Sequence, residues 1–188
     1  MNCHLHHDHA SPGAADHLAR LKGTLALSDV HHVGVIVADR DKALAGLGEL
    51  FVGEPYRMDA VFPPARFRTG IETTSLRLGF VWAGNLLVEI LQPTDDQSVQ
   101  GRYLKDRGEG LHHLGFIVPS IDAHLAALGR DREEAILADG TIPGNDLKWV
   151  YLDSQIIPGV VVELIERSPA AEQFFQGIYN VTGGQLPA

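Results

Sequence analysis

The chain has 188 residues and a single cysteine, Cys3, so no internal disulfide framework is available to it. No apolar run reaches the length needed to span a bilayer. The opening Met1-Asn2-Cys3-His4-Leu5-His6-His7-Asp8 lacks the pattern of a signal peptide, and a cytoplasmic location is the expectation. Basic residues are few: 15 Lys and Arg stand against 24 Asp and Glu, for a net charge of -9, with no basic cluster. Nucleic acid and anionic membranes are therefore poor partners. No dinucleotide-binding glycine motif and no nest-forming glycine loop occurs, which removes the usual signals for an organic redox cofactor or a coenzyme A site. The rest is ordinary for a water-soluble chain, with 45% hydrophobic and 21% charged residues. The length suits one domain, or two small modules sharing a core.

What the chain does have is a duplication. One segment runs from Val30-His31-His32-Val33-Gly34-Val35-Ile36-Val37 to Leu87-Val88-Glu89-Ile90-Leu91. Another runs from Leu111-His112-His113-Leu114-Gly115-Phe116-Ile117-Val118 to Val161-Val162-Glu163-Leu164-Ile165. Each opens on a histidine pair in a strand and closes on a lone glutamate in an apolar strand. Side chains alternate across a strand. His32, Gly34 and Ile36 thus share one face, as do His113, Gly115 and Ile117. Each of these two histidines has a glycine two residues on, a space for a ligand or another backbone to approach. His31 and His112 fall on the opposite, greasy faces, at the edge of the packing.

An ionised carboxylate buried in a strand such as that of Glu89 or Glu163 costs several kcal/mol unless a cation pairs with it. No lysine or arginine recurs at matching positions in the two halves. A metal ion shared by His32, Glu89, His113 and Glu163 is the economical partner.

Around these residues the expected organisation is α+β. Residues 1–28, with five of the ten histidines, form a polar His-rich tail. Residues 29–93 form a first β-α-β-β-β module, with a helix from Arg40 capped by Asp39, a loop at 63–73, and strands at 74–83 and 86–92 joined by a turn at Ala83-Gly84-Asn85. A helical connector spans 94–110. A second module covers 111–167, with a helix capped by Ser120 and strands at 133–138, 147–153 and 159–166. Residues 168–188 hold an amphipathic segment carrying Phe174, Phe175 and Tyr179. Trp82 and Trp149 read as matching positions in the two halves, forming core or cleft wall.

These residues resemble the vicinal oxygen chelate superfamily of glyoxalases, bleomycin-resistance proteins and dioxygenases. The resemblance covers roughly 29–167. It rests on the His-His-Val-Gly-Val-Ile-Val run before Asp39, on Gly84-Asn85-Leu86-Leu87-Val88-Glu89, on Gly110-Leu111-His112-His113 and on Val162-Glu163-Leu164. The Gly110-Leu111-His112-His113 run and the Gly-Asn hairpin look most like methylmalonyl-CoA epimerases. The resemblance implies two tandem βαβββ modules forming a curled mixed sheet around a metal cleft, and a homodimer. It implies that His32, Glu89, His113 and Glu163 bind one divalent ion: cobalt, nickel, manganese or zinc.

The implied activity is a metal-dependent isomerase, epimerase or lyase acting through an enolate at a carbon alpha to a carbonyl or thioester of a small molecule. Glu163 and Glu89 are the expected proton-transfer groups. Family epimerases also use a carboxylate from the third strand of the first module. That strand here offers Arg77 as its inward residue, suited to a carboxylate or phosphate, with Glu72 just upstream. Alternatives are a ligand-sequestering protein of the resistance type, and an iron-dependent extradiol dioxygenase, whose pattern lacks a ligand at the position of Glu89.

Overall fold

The computed structural model describes residues 29–50, 53–68, 70–83, 86–127, 132–142, 146–152 and 159–183. The expected tail over 1–28 and the turn residues Gly84 and Asn85 lie outside them. The first half supplies β1 (His32–Ile36), α1 (Arg40–Gly48), β2 (Tyr56–Val61), β3 (Ala65–Phe67), β4 (Gly70–Glu72), β5 (Ser75–Ala83) and β6 (Leu86–Pro93). The connector is α2 (Val99–Arg107). The second half supplies β7 (Gly110–Val118), α3 (Ile121–Ala127), α4 (Arg132–Ala135), β8 (Ile136–Thr141), β9 (Lys148–Leu152) and β10 (Val161–Glu166), and α5 (Pro169–Thr182) follows.

Local chemistry explains the helix starts. Asp39 accepts a hydrogen bond from Lys42 N at 3.0 Å, Ser98 from Gly101 N at 3.1 Å, and Ser168 from Ala171 N at 3.1 Å. Ser120 does the same for α3, accepting from Ala123 N at 3.2 Å. Each cap satisfies an amide that the first turn leaves open.

The strands form one mixed sheet in the order β2-β5-β6-β1-β7-β10-β9-β8-β3-β4. Each half places its first strand parallel to its last, β1 with β6 and β7 with β10, and the halves join where β1 runs antiparallel to β7. This is the curled α+β sheet the duplication implied, with one half repeated beside the other. Its outer face packs Val37, Val81 and Ile90 under Leu44 of α1, and Phe116, Val118 and Val150 under Leu125 of α3. The concave face carries the largest cluster. There Ile36, Leu78, Phe80 and Ile165 meet Phe175, Ile178 and Tyr179 of α5. Full burial of side chains of this size contributes about 1.5–3 kcal/mol apiece, which holds α5 across the cleft.

Three local expectations change. Residues 133–138 do not form one strand: α4 comes first, with Glu133 and Glu134 in its first turn, where the helix dipole favours acids, and β8 begins at Ile136. The stretch 63–73 is no plain loop. It holds the β3–β4 hairpin, which crosses to the far edge of the second half and pairs with β8, Arg66 opposite Asp139 and Phe67 opposite Ala138. Arg66 reinforces that seam through Asp139 at 3.0 Å and Glu133 at 2.9 Å. The two tryptophans do not match. Trp149 pairs with Ile165, whereas the equivalent pair in the first half is Leu78 with Leu91; Trp82 pairs with Leu87.

Candidate metal centre

The four central strands β6, β1, β7 and β10 each bring one residue of the cluster. Register decides how they meet. Gly34 stands opposite both His113 on β7 and Glu89 on β6. Gly115 stands opposite both His32 on β1 and Glu163 on β10. Each histidine therefore lies over the glycine of the other half. A Cβ built on Gly34 falls 2.0 Å from His113 Cε1, and one on Gly115 falls 1.9 Å from His32 Cε1. The space that the glycines leave is filled by an imidazole of the opposite module, not held open for a ligand.

The crossing pairs a histidine from one half with a glutamate from the other. His32 Nε2 lies 2.8 Å from Glu163 Oε2, and His113 Nε2 lies 3.2 Å from Glu89 Oε2. The same-half distances are longer, 3.7 Å for His32 to Glu89 and 3.6 Å for His113 to Glu163. One ligand atom from each of the four residues falls within 4.8 Å of the others. His32, His113 and Glu163 are buried and Glu89 is partly so. Neither module alone supplies the set.

The neighbouring histidines orient the ligands. His31 Nδ1 lies 3.1 Å from His32 Nδ1, and His112 Nδ1 lies 3.0 Å from His113 Nδ1. In each pair one nitrogen donates and the other accepts. With the ligand ring donating through Nδ1–H, its Nε2 lone pair is free for the cluster, and the neighbour carries its proton on Nε2. For His31 that proton is directed at Tyr179 Oη, 2.5 Å away on α5. Burial, helped by His32, pushes the His31 pKa down to about 3. Burial, with His113 and Arg107 adding to it, also puts His112 well below its ordinary value. Both rings are thus neutral and able to accept. These two residues are buried rather than at a packing edge. The register slips between Gly34 and Val35, so His112 stands in a bulge that breaks strict alternation.

The carboxylates and imidazoles of the cluster act on one another's charge. Burial disfavours charge on His113, but Glu163 and Glu89 outweigh it and raise the imidazole's pKa. Burial also opposes ionisation of Glu163, yet His113 and His32 hold its pKa below the ordinary value. His113 Nε2 is fully buried and has no aligned hydrogen-bond partner among the described residues. Two facing carboxylates, two imidazole nitrogens held by Nδ1 bonds and one orphaned nitrogen fit a divalent ion with mixed nitrogen and oxygen ligands.

The remaining sequence candidates lie elsewhere. Arg77 does not point inward. It bonds Asp41 Oδ2 at 2.7 Å and Gln92 Oε1 at 3.3 Å on the outer face. Phe80 is the residue opposite Glu89, so Leu76, Leu78 and Phe80 face the cleft and Arg77 cannot. Glu72 bonds Arg102 at 2.9 Å and is not among the cavity-lining residues. Three residues that sequence reasoning passed over do adjoin the site: Tyr151, Tyr179 and Gln100. Tyr151 occupies the place opposite Glu163 that Phe80 holds opposite Glu89. Burial, then the Glu163 and Glu89 carboxylates, raises the Tyr151 pKa well above its ordinary value, against a hydrogen bond with Gln100. Its phenol is a neutral group beside the carboxylates. The pairing of Glu163 with an aromatic residue was the one available signal.

Residues 31–151 match the model of the Glyoxalase/Bleomycin resistance protein/Dioxygenase superfamily. The chain belongs to this superfamily. Over 96 residues it is 27% identical to the uncharacterized protein YqjC of Bacillus subtilis (strain 168), a match covering 51% of this chain and 69% of that protein. The superfamily fold is shared with hypothetical protein BH1468 from Bacillus halodurans C-125, at 18% identity and a TM-score of 0.53, covering 74% of this chain and 94% of that one. It is also shared with a Streptomyces coelicolor methylmalonyl-CoA epimerase variant in complex with 2-nitronate-propionyl-CoA, at 22% identity and a TM-score of 0.55, covering 77% and 98%. Methylmalonyl-CoA epimerase from Mycobacterium tuberculosis aligns at 21% identity and a TM-score of 0.52, covering 78% and 93%. Among the described residues no helix is long and apolar enough to cross a membrane.

Proposed function

We propose that this protein is a metal-dependent isomerase, epimerase or lyase that moves a proton at a carbon alpha to a carbonyl or thioester of a small molecule. The observation that carries this reading is the buried cluster of His32, Glu89, His113 and Glu163, built across the two halves. Those four residues would hold one divalent ion. When bound, the ion supplies Lewis-acid polarisation of a carbonyl oxygen and offsets the charge of an enolate. Glu163 and Glu89 approach the site from strands on opposite sides of the β1–β7 pair. Two carboxylates so placed suit a reaction in which one removes a proton and another returns it. The neutral phenol of Tyr151 can donate a hydrogen bond beside them.

The test is exchange of the alpha proton. Full-length, metal-loaded protein is incubated in heavy water with methylmalonyl-CoA and with hemithioacetals, and the alpha proton is followed by NMR. Exchange with at least one substrate of the panel, without oxygen consumption, is the expected result. Glu163→Gln should suppress exchange more than substrate binding, because the amide occupies the space but accepts no proton at neutral pH. Oxygen-dependent ring cleavage of a catechol would replace this reading with a dioxygenase. Tight binding without exchange across the panel would replace it with a sequestering protein.

A further inference from the structure

Outside the ligand cluster, three polar atoms are fully buried and have no hydrogen-bond partner among the described residues: Thr74 Oγ1, Gln100 Oε1 and Trp149 Nε1. They come from separate elements. Thr74 lies between β4 and β5, Gln100 on α2 and Trp149 on β9. All three residues line one cavity, and His32, Glu89 and Glu163 line the same cavity. An unmade hydrogen bond in a buried site is costly, and native interiors hold few of them. Three converging on one space call for a ligand.

The rest of the wall sets the kind of ligand. It is apolar, part aliphatic and part aromatic, with Phe62, Leu78, Phe80, Ile142, Phe174 and Phe175 among its residues. Among the described residues no lysine or arginine lines it. The cavity volume is about 60 Å³, room for roughly four water molecules and so for one small ring or branched group. An anionic substrate group would find no cation in this wall. The donor and acceptor types are also specific. Trp149 Nε1 only donates, Gln100 Oε1 only accepts, and Thr74 does either. A hydroxyl group matches such a set, since it accepts from one partner and donates to another.

We propose that this cavity binds an uncharged substrate with an aromatic or branched apolar body. Its paired oxygens lie at the His32–Glu89–His113–Glu163 cluster, and hydroxyl substituents are read by Thr74, Gln100 and Trp149. The proposal rests on the metal-centre reading only for the end that carries the paired oxygens. It separates this chain from one built for an acyl-coenzyme A bearing phosphates or a free carboxylate.

Hydroxamates test it, because each offers two adjacent oxygens to a metal while the rest of the molecule varies. Full-length protein is stripped with a chelator and reloaded with cobalt, its metal content is measured, and ligands are titrated by calorimetry. Benzohydroxamate should bind about tenfold or more tightly than acetohydroxamate, since it buries a ring in place of a methyl. The succinic monohydroxamate, with its free carboxylate, should bind more weakly than either. At least one of the three ring-hydroxylated benzohydroxamates should exceed the parent, and that gain should vanish in Thr74→Val or Trp149→Phe. Leu78→Phe, which fills the cavity, should erase the aryl preference. Equal binding of the methyl and phenyl probes, or preference for the anionic one, overturns the proposal. A second arm separates the two readings. Stripped protein is titrated with 4-ethylphenol, which offers no oxygen pair. A chain that retains no cobalt yet binds 4-ethylphenol, and loses it in Leu78→Phe, upholds this proposal and refutes the metal centre. Stoichiometric cobalt with no aryl preference refutes this proposal and upholds the metal centre.

Discussion

Adding one carbon at Gly34 should damage the site at the residue contributed by the other half. In Gly34→Ala the new Cβ falls 2.0 Å from His113 Cε1, and all three of the closest atoms belong to that ring. Carbon atoms settle at about 3.5 Å or more, so the imidazole must withdraw by about 1.5 Å. His113 is wholly buried, and its Nδ1 bond to His112 leaves it little freedom. Overpacking of this kind costs about 1–3 kcal/mol. The alanine returns some of that, since glycine within a strand is unfavourable by about 0.5–1 kcal/mol. A net loss of about 1–2 kcal/mol in metal-free stability is expected. The functional effect should be larger than the stability effect. Metal–nitrogen bonds are about 2.0–2.1 Å long, so a ring displaced by 1.5 Å ceases to be a ligand. Affinity for the ion should then fall on the order of 100-fold or more, at least matching the loss of an outer partner.

Urea unfolding and competition of the ion with a chromophoric chelator read the two quantities. Gly115→Ala should behave alike through His32, where the Cβ would lie 1.9 Å from Cε1. Gly46→Ala is the control: an added Cβ there meets nothing within 4 Å, and on helix α1 it should stabilise by about 0.5–1 kcal/mol. A double-mutant cycle makes the claim specific. Once His113→Ala has removed the ring, Gly34→Ala should cost nothing further, giving a coupling of about 1–2 kcal/mol. Wild-type metal affinity in Gly34→Ala, or additive effects in the cycle, would refute the crossed packing.

Other outcomes follow from the same geometry. His32→Ala or Glu163→Ala should abolish stoichiometric metal in protein lacking residues 1–28, read by elemental analysis after dialysis against a chelator; full retention by both variants would displace the site. His31→Ala and Tyr179→Phe should keep the site but weaken it, by about 10–100-fold for His31 and less for Tyr179, because His31 bonds His32 directly and Tyr179 acts on it only through His31. Acid should destabilise the metal-free protein. His31 binds a proton near pH 6.5 when unfolded but only near pH 3 when folded, so stability falls as pH drops below 6.5, by about 2 kcal/mol at pH 5. His113 works in the opposite sense, since its folded pKa is raised: its contribution is present below pH 6.5 and fades as pH rises through the folded value. In His31→Gln the urea stability difference between pH 8 and pH 5 should shrink by about 2 kcal/mol; an unchanged difference would show that His31 is not held neutral.

The sequence carried the parity of each strand, and parity travels well along a strand. It travels poorly across a turn. The four cluster residues were legible because each sits in its own apolar strand with its phase marked by neighbours: glycine after each histidine, paired aliphatics around each glutamate. Arg77 failed for a reason of one residue. A three-residue turn at Ala83-Gly84-Asn85 sets Arg77 on the face of Glu89. The observed pairing is Ala83 with Leu86, which sets Phe80 opposite Glu89 and turns Arg77 outward to Asp41. Trp82 and Trp149 were mismatched along the strand, since the residue equivalent to Trp149 is Leu78, on the same face as Trp82. The β3–β4 hairpin was invisible for a different reason. Its strand β3 is fixed by a partner, β8, that lies about 70 positions away in sequence, and three-residue runs have no period to read. His31 and His112 show a third limit. Alternation sends them away from the cleft, but His31 precedes β1 and His112 stands in a bulge, so alternation does not govern either. Chemistry does. A ligand imidazole needs its second nitrogen held, and the adjacent histidine is close enough to hold it. On the metal-centre reading proposed above, the doubled histidine in each half is one functional unit, a candidate ligand and its support. The support from His31 reaches α5 through Tyr179. The helix that covers the cavity with Phe174 and Phe175 therefore also steadies the site beneath it.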